Sequence, residues 1–140
     1  MKKIFFIVLL CCSTICAENG PKRIISLAPS ITEILCSLGL QERIAGVTDF
    51  CIDPYKESDF SKISVGSLLS PNFERILKAK PDLILTLKGK SSHTVKLRQF
   101  GLKVLELNHI NLDAIMSSIQ TIGDSCEVSD RSNKLIKELN

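Results

Sequence analysis

The apolar positions of this chain come in short runs that alternate between two periods. Residues 23–27 (Arg23-Ile24-Ile25-Ser26-Leu27) are short, apolar and β-branched, which predicts a strand. After Pro29 and Ser30, apolar residues recur at Ile31, Ile34, Leu35 and Leu38, the spacing of one helical face. Ser30 or Thr32 can cap this helix, Ser30 with Glu33 three residues later fitting a capping box, and Gly39 fits a helix C-cap. Residues 44–48 predict a second strand, and the polar stretch 49–62, containing Pro54, a loop.

The same alternation continues. Residues 63–65 form a short extended piece ending at Gly66. Ser70-Pro71-Asn72 opens a helix with Phe73, Ile76 and Leu77 on its apolar face and Glu74 and Arg75 outward. Pro81 cannot continue that helix. Residues 82–87 (Asp82-Leu83-Ile84-Leu85-Thr86-Leu87) predict a buried strand, followed by the loop Lys88-Gly89-Lys90-Ser91-Ser92. A helix over 94–100 closed by Gly101 and a strand over 103–107 come next. Asn111 starts a helix with Leu112, Ile115, Met116, Ile119 and Ile122 on one face, and a last helix begins near Ser129 or Asp130. Strand then helix, repeated, predicts an α/β fold with a mostly parallel sheet and helices on its faces. In such a sheet the strand-to-helix loops gather along one edge, the usual place for a ligand. Here they are residues 28–30, 48–56, 87–92 and 108–111.

The first residues do not fit this alternation. Lys2 and Lys3 precede the apolar run 4–12 and then Ser13, Thr14, Ile15, Cys16 and Ala17. A charged start, a short apolar run and a small-residue exit read as a secretory signal over residues 1–17, too short for a membrane span. Leu10, Cys11 and Ile15, which precede the three leader cysteines, argue against a lipidation site. The mature chain would begin near Glu18 and work in the periplasm or another extracytoplasmic space. Cys36, Cys51 and Cys126 then remain, an odd number without C-x-x-C spacing, so a zinc site is not supported. Cys36 belongs to an apolar helical run and reads as core. An oxidising compartment permits one pair to bridge, and the sequence does not choose which.

Composition narrows the function. The chain has 140 residues, 44% hydrophobic and 24% charged, which fits one folded domain. Its net charge is +3, two of those charges are Lys2 and Lys3, and no basic block follows, so a nucleic-acid partner is not indicated. There is no G-x-G-x-x-G after the first strand, no G-x-S-x-G and no H-E-x-x-H. Lys88-Gly89-Lys90-Ser91 lacks the upstream glycine of a phosphate loop. His93 and His109 are isolated and lack metal-ligand spacing. From the residues alone this is an exported α/β domain with ligand-capable loops and no catalytic signature.

Four segments in order carry a resemblance. Residues 21–33 (Pro21-Lys22-Arg23-Ile24-Ile25-Ser26-Leu27-Ala28-Pro29-Ser30-Ile31-Thr32-Glu33) resemble the opening of the periplasmic substrate-binding proteins for cobalamin and iron–siderophore import. Ile44-Ala45-Gly46-Val47-Thr48 resembles their second strand. Val65-Gly66 with Ser70-Pro71-Asn72-Phe73-Glu74-Arg75-Ile76 resembles their V-G…P-N-x-E-x-I segment, and Lys80-Pro81-Asp82-Leu83-Ile84 their K-P-D-L strand start. The match covers residues 21–140.

The resemblance implies a two-lobed receptor, each lobe a three-layer α/β sandwich, joined by one long helix. It divides this chain into a signal (1–17), an N-terminal lobe (18–128) and the start of the interlobe helix (129–140), with the second lobe absent. It implies no enzyme activity and no resident cofactor. The ligand would be cobalamin or another corrinoid, with a ferric siderophore or haem second, and the partner an ABC permease with its ATPase, met by a monomer. Pro29, Ser30 and Ile31 would line the cleft, Phe50 would supply an aromatic contact, and Gly66, Ser67 and Leu68 would lie beside it. Leu87 and Lys88 would form a further wall, and Glu74 would dock on permease arginines. Ser67, Leu68 and Leu87 stand where cobalamin binders often carry Trp. Haem receptors often offer Tyr or His, and His93 is the imidazole expected near a cleft loop. Two alternatives remain: a small exported thiol enzyme using Cys51 with Asp49 or His93, and an interaction domain that does not transport.

Overall fold

The computed structural model describes residues 19–51, 63–89 and 92–139. The expected leader over 1–17 and residues 52–62 of the loop after the second strand lie outside them, as do 90 and 91. Four strands, β1 (Ile24–Ser26), β2 (Ile44–Val47), β3 (Leu83–Leu87) and β4 (Val104–Leu107), form one sheet in the order β2-β1-β3-β4. Every pairing is parallel, with Ile25 opposite Ile84 and Leu85 opposite Leu105. The α-helices among the described residues are α1 (Pro29–Ser37), α2 (Phe73–Lys78), α3 (Thr94–Gln99), α4 (Leu112–Ser125) and α5 (Ser129–Leu139).

Strand alternation sorts the apolar residues into two cores, because successive side chains leave a strand on opposite faces. Ile24, Val47, Leu83, Leu85 and Leu107 face α1, α4 and α5. Ile25, Leu27 and Ile84 face Ile76 of α2 and Leu97 of α3. Both faces of β1 and β3 are therefore covered, which is why these strands carry continuous rather than alternating apolar runs. The result is the expected three-layer α/β sandwich. Residues 63–65 extend it weakly, since Ser64 bridges in parallel to Val47 beside β2.

Most predicted elements fall within a residue of those observed, and α1 and α3 stop before Gly39 and Gly101 as expected. Asn72 and Asn111 cap α2 and α4, each side chain accepting a backbone N–H, from Arg75 and Ala114. Two expectations fail. The capping box at Ser30 does not form: Pro29 occupies the first helical position, where its missing N–H costs nothing, so Ala28 becomes the N-cap. The helical spacing puts Leu112 on the apolar face of α4, yet as the first residue of that helix it is 64% exposed.

Candidate functional site

Because all four strands run the same way, the segments that follow them meet at one edge. β2 and β3 flank β1 on opposite sides, so the connections diverge there, and such a switch point opens a crevice beyond the strand ends. The segment 63–65 also runs parallel to β2, so the turn beginning at Gly66 reaches the same edge. Asp49 N–H donates to the Gly66 carbonyl at 2.9 Å, which joins the loop after β2 to that turn. His93 Nε2 lies 2.9 Å from the Leu69 carbonyl oxygen, which joins the turn to the start of α3.

The expected ligand residues divide by exposure. Pro29, Ser30, Phe50 and Lys88 are exposed, Phe50 at 78%. Gly66, Ser67, Leu68 and Leu87 are half-buried. Leu68 packs on the α2–α3 core and Leu87 on the α1–α4–α5 core, so each offers only part of its surface. Ile31 is fully buried beneath α1 and supports the loop rather than lining it. Glu74 is exposed in the first turn of α2. Leu69, Ile110 and Leu112, at 76%, 81% and 64% exposure, add apolar surface along the same edge.

The turn from Gly66 is tightly built. Gly66 has φ +92°, and a Cβ added there would stand 2.7 Å from the Ser70 carbonyl oxygen. Ser67 N–H donates to that carbonyl at 3.2 Å, and Ser70 N–H to Ser67 Oγ at 3.0 Å. Phe73 packs edge-on against His93, with ring centroids 5.6 Å apart, and Lys96 Nζ sits 4.6 Å above its ring. His93 thus buttresses the turn.

The sequence leaves His109 isolated and puts His93 nearest the cleft. The structure adds His109 to the edge. Its Nδ1 lies 3.0 Å from Ser30 Oγ, so the loops after β1 and β4 touch directly through these two side chains. His109 Nε2 is buried and has no hydrogen-bond partner among the described residues. Burial pushes its pKa below the ordinary value, which keeps the ring neutral near pH 7. Ser30 and His109 also line a groove of about 290 Å³ with Glu33, Ile34, Ile119 and Leu135.

Cys36, Cys51 and Cys126 are all buried. Among the described residues the Cys51 thiol meets two hydroxyls, Thr32 Oγ1 at 3.1 Å and Thr48 Oγ1 at 3.0 Å. Asp49 instead accepts from Ser64 Oγ, and His93 is committed to Leu69. The described residues contain no group of three or more His, Cys, Asp or Glu able to hold a metal ion. None of their helices is long and apolar enough to cross a membrane.

The sequence comparison decides the family: residues 24–140 match the periplasmic binding protein family model. The chain belongs to the periplasmic binding protein family. An uncharacterised ABC transporter substrate-binding lipoprotein of Bacillus subtilis is 31% identical over 127 residues, 87% of this chain and 40% of the relative. A vitamin B12-binding protein of Vibrio campbellii is 30% identical over 141 aligned positions, 99% of this chain and 50% of the relative. Among solved structures, a possible iron-binding periplasmic solute-binding protein of Staphylococcus epidermidis superposes with TM-score 0.74 at 32% identity. That superposition covers 86% of this chain and 48% of the other. This periplasmic binding protein chain spans half the length or less of each.

Proposed function

We propose that this chain is the N-terminal lobe of an extracytoplasmic substrate-binding component of an ABC importer, with ligand packing on the carboxyl edge of its sheet. The observation that carries the reading is Phe50, a large aromatic left 78% exposed at the edge where the strand-to-helix loops converge. Residues 1–17 would be the leader, 18–128 the lobe, and α5 the start of a helix leading into a second lobe. The ligand class is a corrinoid first, as in the name of the Vibrio campbellii relative, and a ferric siderophore or haem second, in line with the iron-binding neighbour. Large planar ligands favour broad apolar contact with few polar anchors. The edge offers Phe50 and half-buried Leu68 and Leu87, with Ser30, Ser67 and Lys88 as polar groups. Glu74 would meet cationic residues of the permease, and charge complementarity of that kind mainly orients docking. No covalent step is required, so the role is capture and delivery.

The test is an absorbance titration with cyanocobalamin and with haemin. It uses the chain joined after Asn140 to the second half of the Vibrio campbellii relative. Binding of one ligand is expected, and Phe50→Ala should weaken it about 10- to 100-fold, the equivalent of roughly 1.5–3 kcal/mol of aromatic contact. Absence of any spectral change with both ligands would remove both, and binding indifferent to Phe50→Ala would remove the edge as the site.

A further inference from the structure

We infer that Cys51 is a positioning residue whose buried thiol holds Phe50 at the sheet edge. This rests on reading Phe50 as a ligand contact. Phe50 stands in solvent, yet both of its chain neighbours are tethered. Asp49 donates its N–H to the Gly66 carbonyl at 2.9 Å and accepts from Ser64 Oγ. Cys51 donates its N–H to the Thr48 carbonyl at 3.0 Å and turns its side chain inward, where it is 9% exposed. The backbone is therefore pinned on either side of Phe50.

The inward anchor is a chain of side-chain hydrogen bonds through three elements. Thr48 Oγ1 and Cys51 Sγ are 3.0 Å apart, and Cys51 Sγ and Thr32 Oγ1 3.1 Å. Thr32 Oγ1 donates to Ser26 Oγ at 2.8 Å, and Ser26 Oγ donates to the Ala28 carbonyl at 3.0 Å. Ser26, Thr32 and Thr48 are at most 2% exposed, so their hydroxyls have little access to water as a substitute. The donor directions follow from counting hydrogens. Thr32 Oγ1 donates toward Ser26 Oγ and, at 3.3 Å, toward the Ala28 carbonyl, so its proton is turned away from the thiol, which is left to donate to Thr32 and accept from Thr48. The chain of contacts runs from the loop after β2 through α1 to the end of β1 and ends on the Ala28 carbonyl. Cys51 is the middle link, and it needs both its donor and its acceptor function there.

A cysteine that merely filled space would leave the loop's order unchanged when replaced. The test is backbone ¹⁵N relaxation on the whole 140-residue chain, comparing wild type with Cys51→Ala, Cys51→Ser and Thr48→Val. Order parameters at Asp49 and Phe50 should fall from about 0.85 to below about 0.6 in Cys51→Ala and in Thr48→Val, while Val47 and Ile25 keep theirs. Cys51→Ser retains a donor and an acceptor and should preserve the wild-type order. Unchanged values at 49–51 in Cys51→Ala would overturn the inference, as would a uniform loss across the sheet. Should Cys51→Ala fail to fold, Thr48→Val poses the same question, since it swaps one hydroxyl for a methyl of similar shape. The measurement uses no ligand. Its failure sinks the positioning role alone, whereas failure of the cobalamin and haemin titrations sinks the binding reading alone.

Discussion

Gly66→Ala and Gly89→Ala differ in one physical respect, and their comparison tests whether the turn beside Phe50 is as tightly closed as described. Both glycines have positive φ, +92° at Gly66 and +71° at Gly89. A side chain in that region costs about 1–2 kcal/mol on backbone grounds. A Cβ at Gly89 would meet none of the described residues within 4 Å, whereas one at Gly66 would stand 2.7 Å from the Ser70 carbonyl oxygen and 3.1 Å from Asn72 N. Both obstacles at Gly66 are backbone atoms, so no rotamer change relieves them. Moving them strains the bonds from Ser67 N–H to the Ser70 carbonyl and from Asn72 N–H to the Val65 carbonyl, at 3.2 and 2.8 Å. Losing one of these adds roughly 1 kcal/mol. Gly66→Ala should therefore destabilise by about 2–4 kcal/mol, and Gly89→Ala by about 1 kcal/mol or less, once the stiffer unfolded chain is credited. With an m-value near 2 kcal/mol/M, urea midpoints should drop by about 1–2 M and by no more than about 0.5 M. Equal shifts for the two variants would refute the steric argument and with it the described shape of the 66–71 turn.

Two further predictions concern titration. Burial raises the Cys126 thiol to about 11, so the unfolded chain loses this proton first. Its contribution to stability is complete below the ordinary value near 9.0 and is lost as pH rises from there toward about 11. Urea midpoints of wild type and Cys126→Ala, measured from pH 8 to 11, should converge with rising pH, and a constant gap would count against it. For His109 the sign reverses, because burial lowers its pKa and the unfolded chain binds the proton more readily. The neutral ring stabilises the fold above the ordinary value of 6.5, and that contribution is lost as pH falls through the folded value. His109→Asn should flatten the pH dependence of stability below 6.5, and an unaltered slope would show that another group sets it.

The layers of this fold were legible because they depend on local pattern. β3 carries Leu83, Ile84, Leu85 and Leu87 with no charge, and a strand with that content has to be covered on both faces. Apolar spacing along α1 put Ile31, Ile34 and Leu35 on one face, and all three are buried. What pattern could not supply was the full strand order: the uncharged run of β3 points to a covered strand, but nothing local says that β1 lies beside it and β2 outside, which only the packed sheet shows. Local rules also misjudged positions where two of them compete. Ser30 is a good capping residue, but the proline before it already fits the first helical position, and Ser30 is released to meet His109.

That release explains why the site was harder to read than the sheet. Ser30 and His109 are 79 residues apart, and neither lies in a motif that points to the other. The available signal was topological: His109 belongs to the segment after β4, and in a parallel sheet that segment must share an edge with the one after β1. Thr32, Thr48 and Cys51 posed the same difficulty, because three isolated polar residues in apolar surroundings look like ordinary substitutions until the strands bring them within 3.1 Å. Exposure then separated true edge residues from supports. Phe50 and Ile31 looked equally apolar in sequence, yet one is in solvent and the other wholly buried. The buried one belongs to the scaffold, and the exposed one suits the proposed ligand contact. A Phe50→Ala change should therefore alter binding far more than folding, and an Ile31→Ala change the reverse.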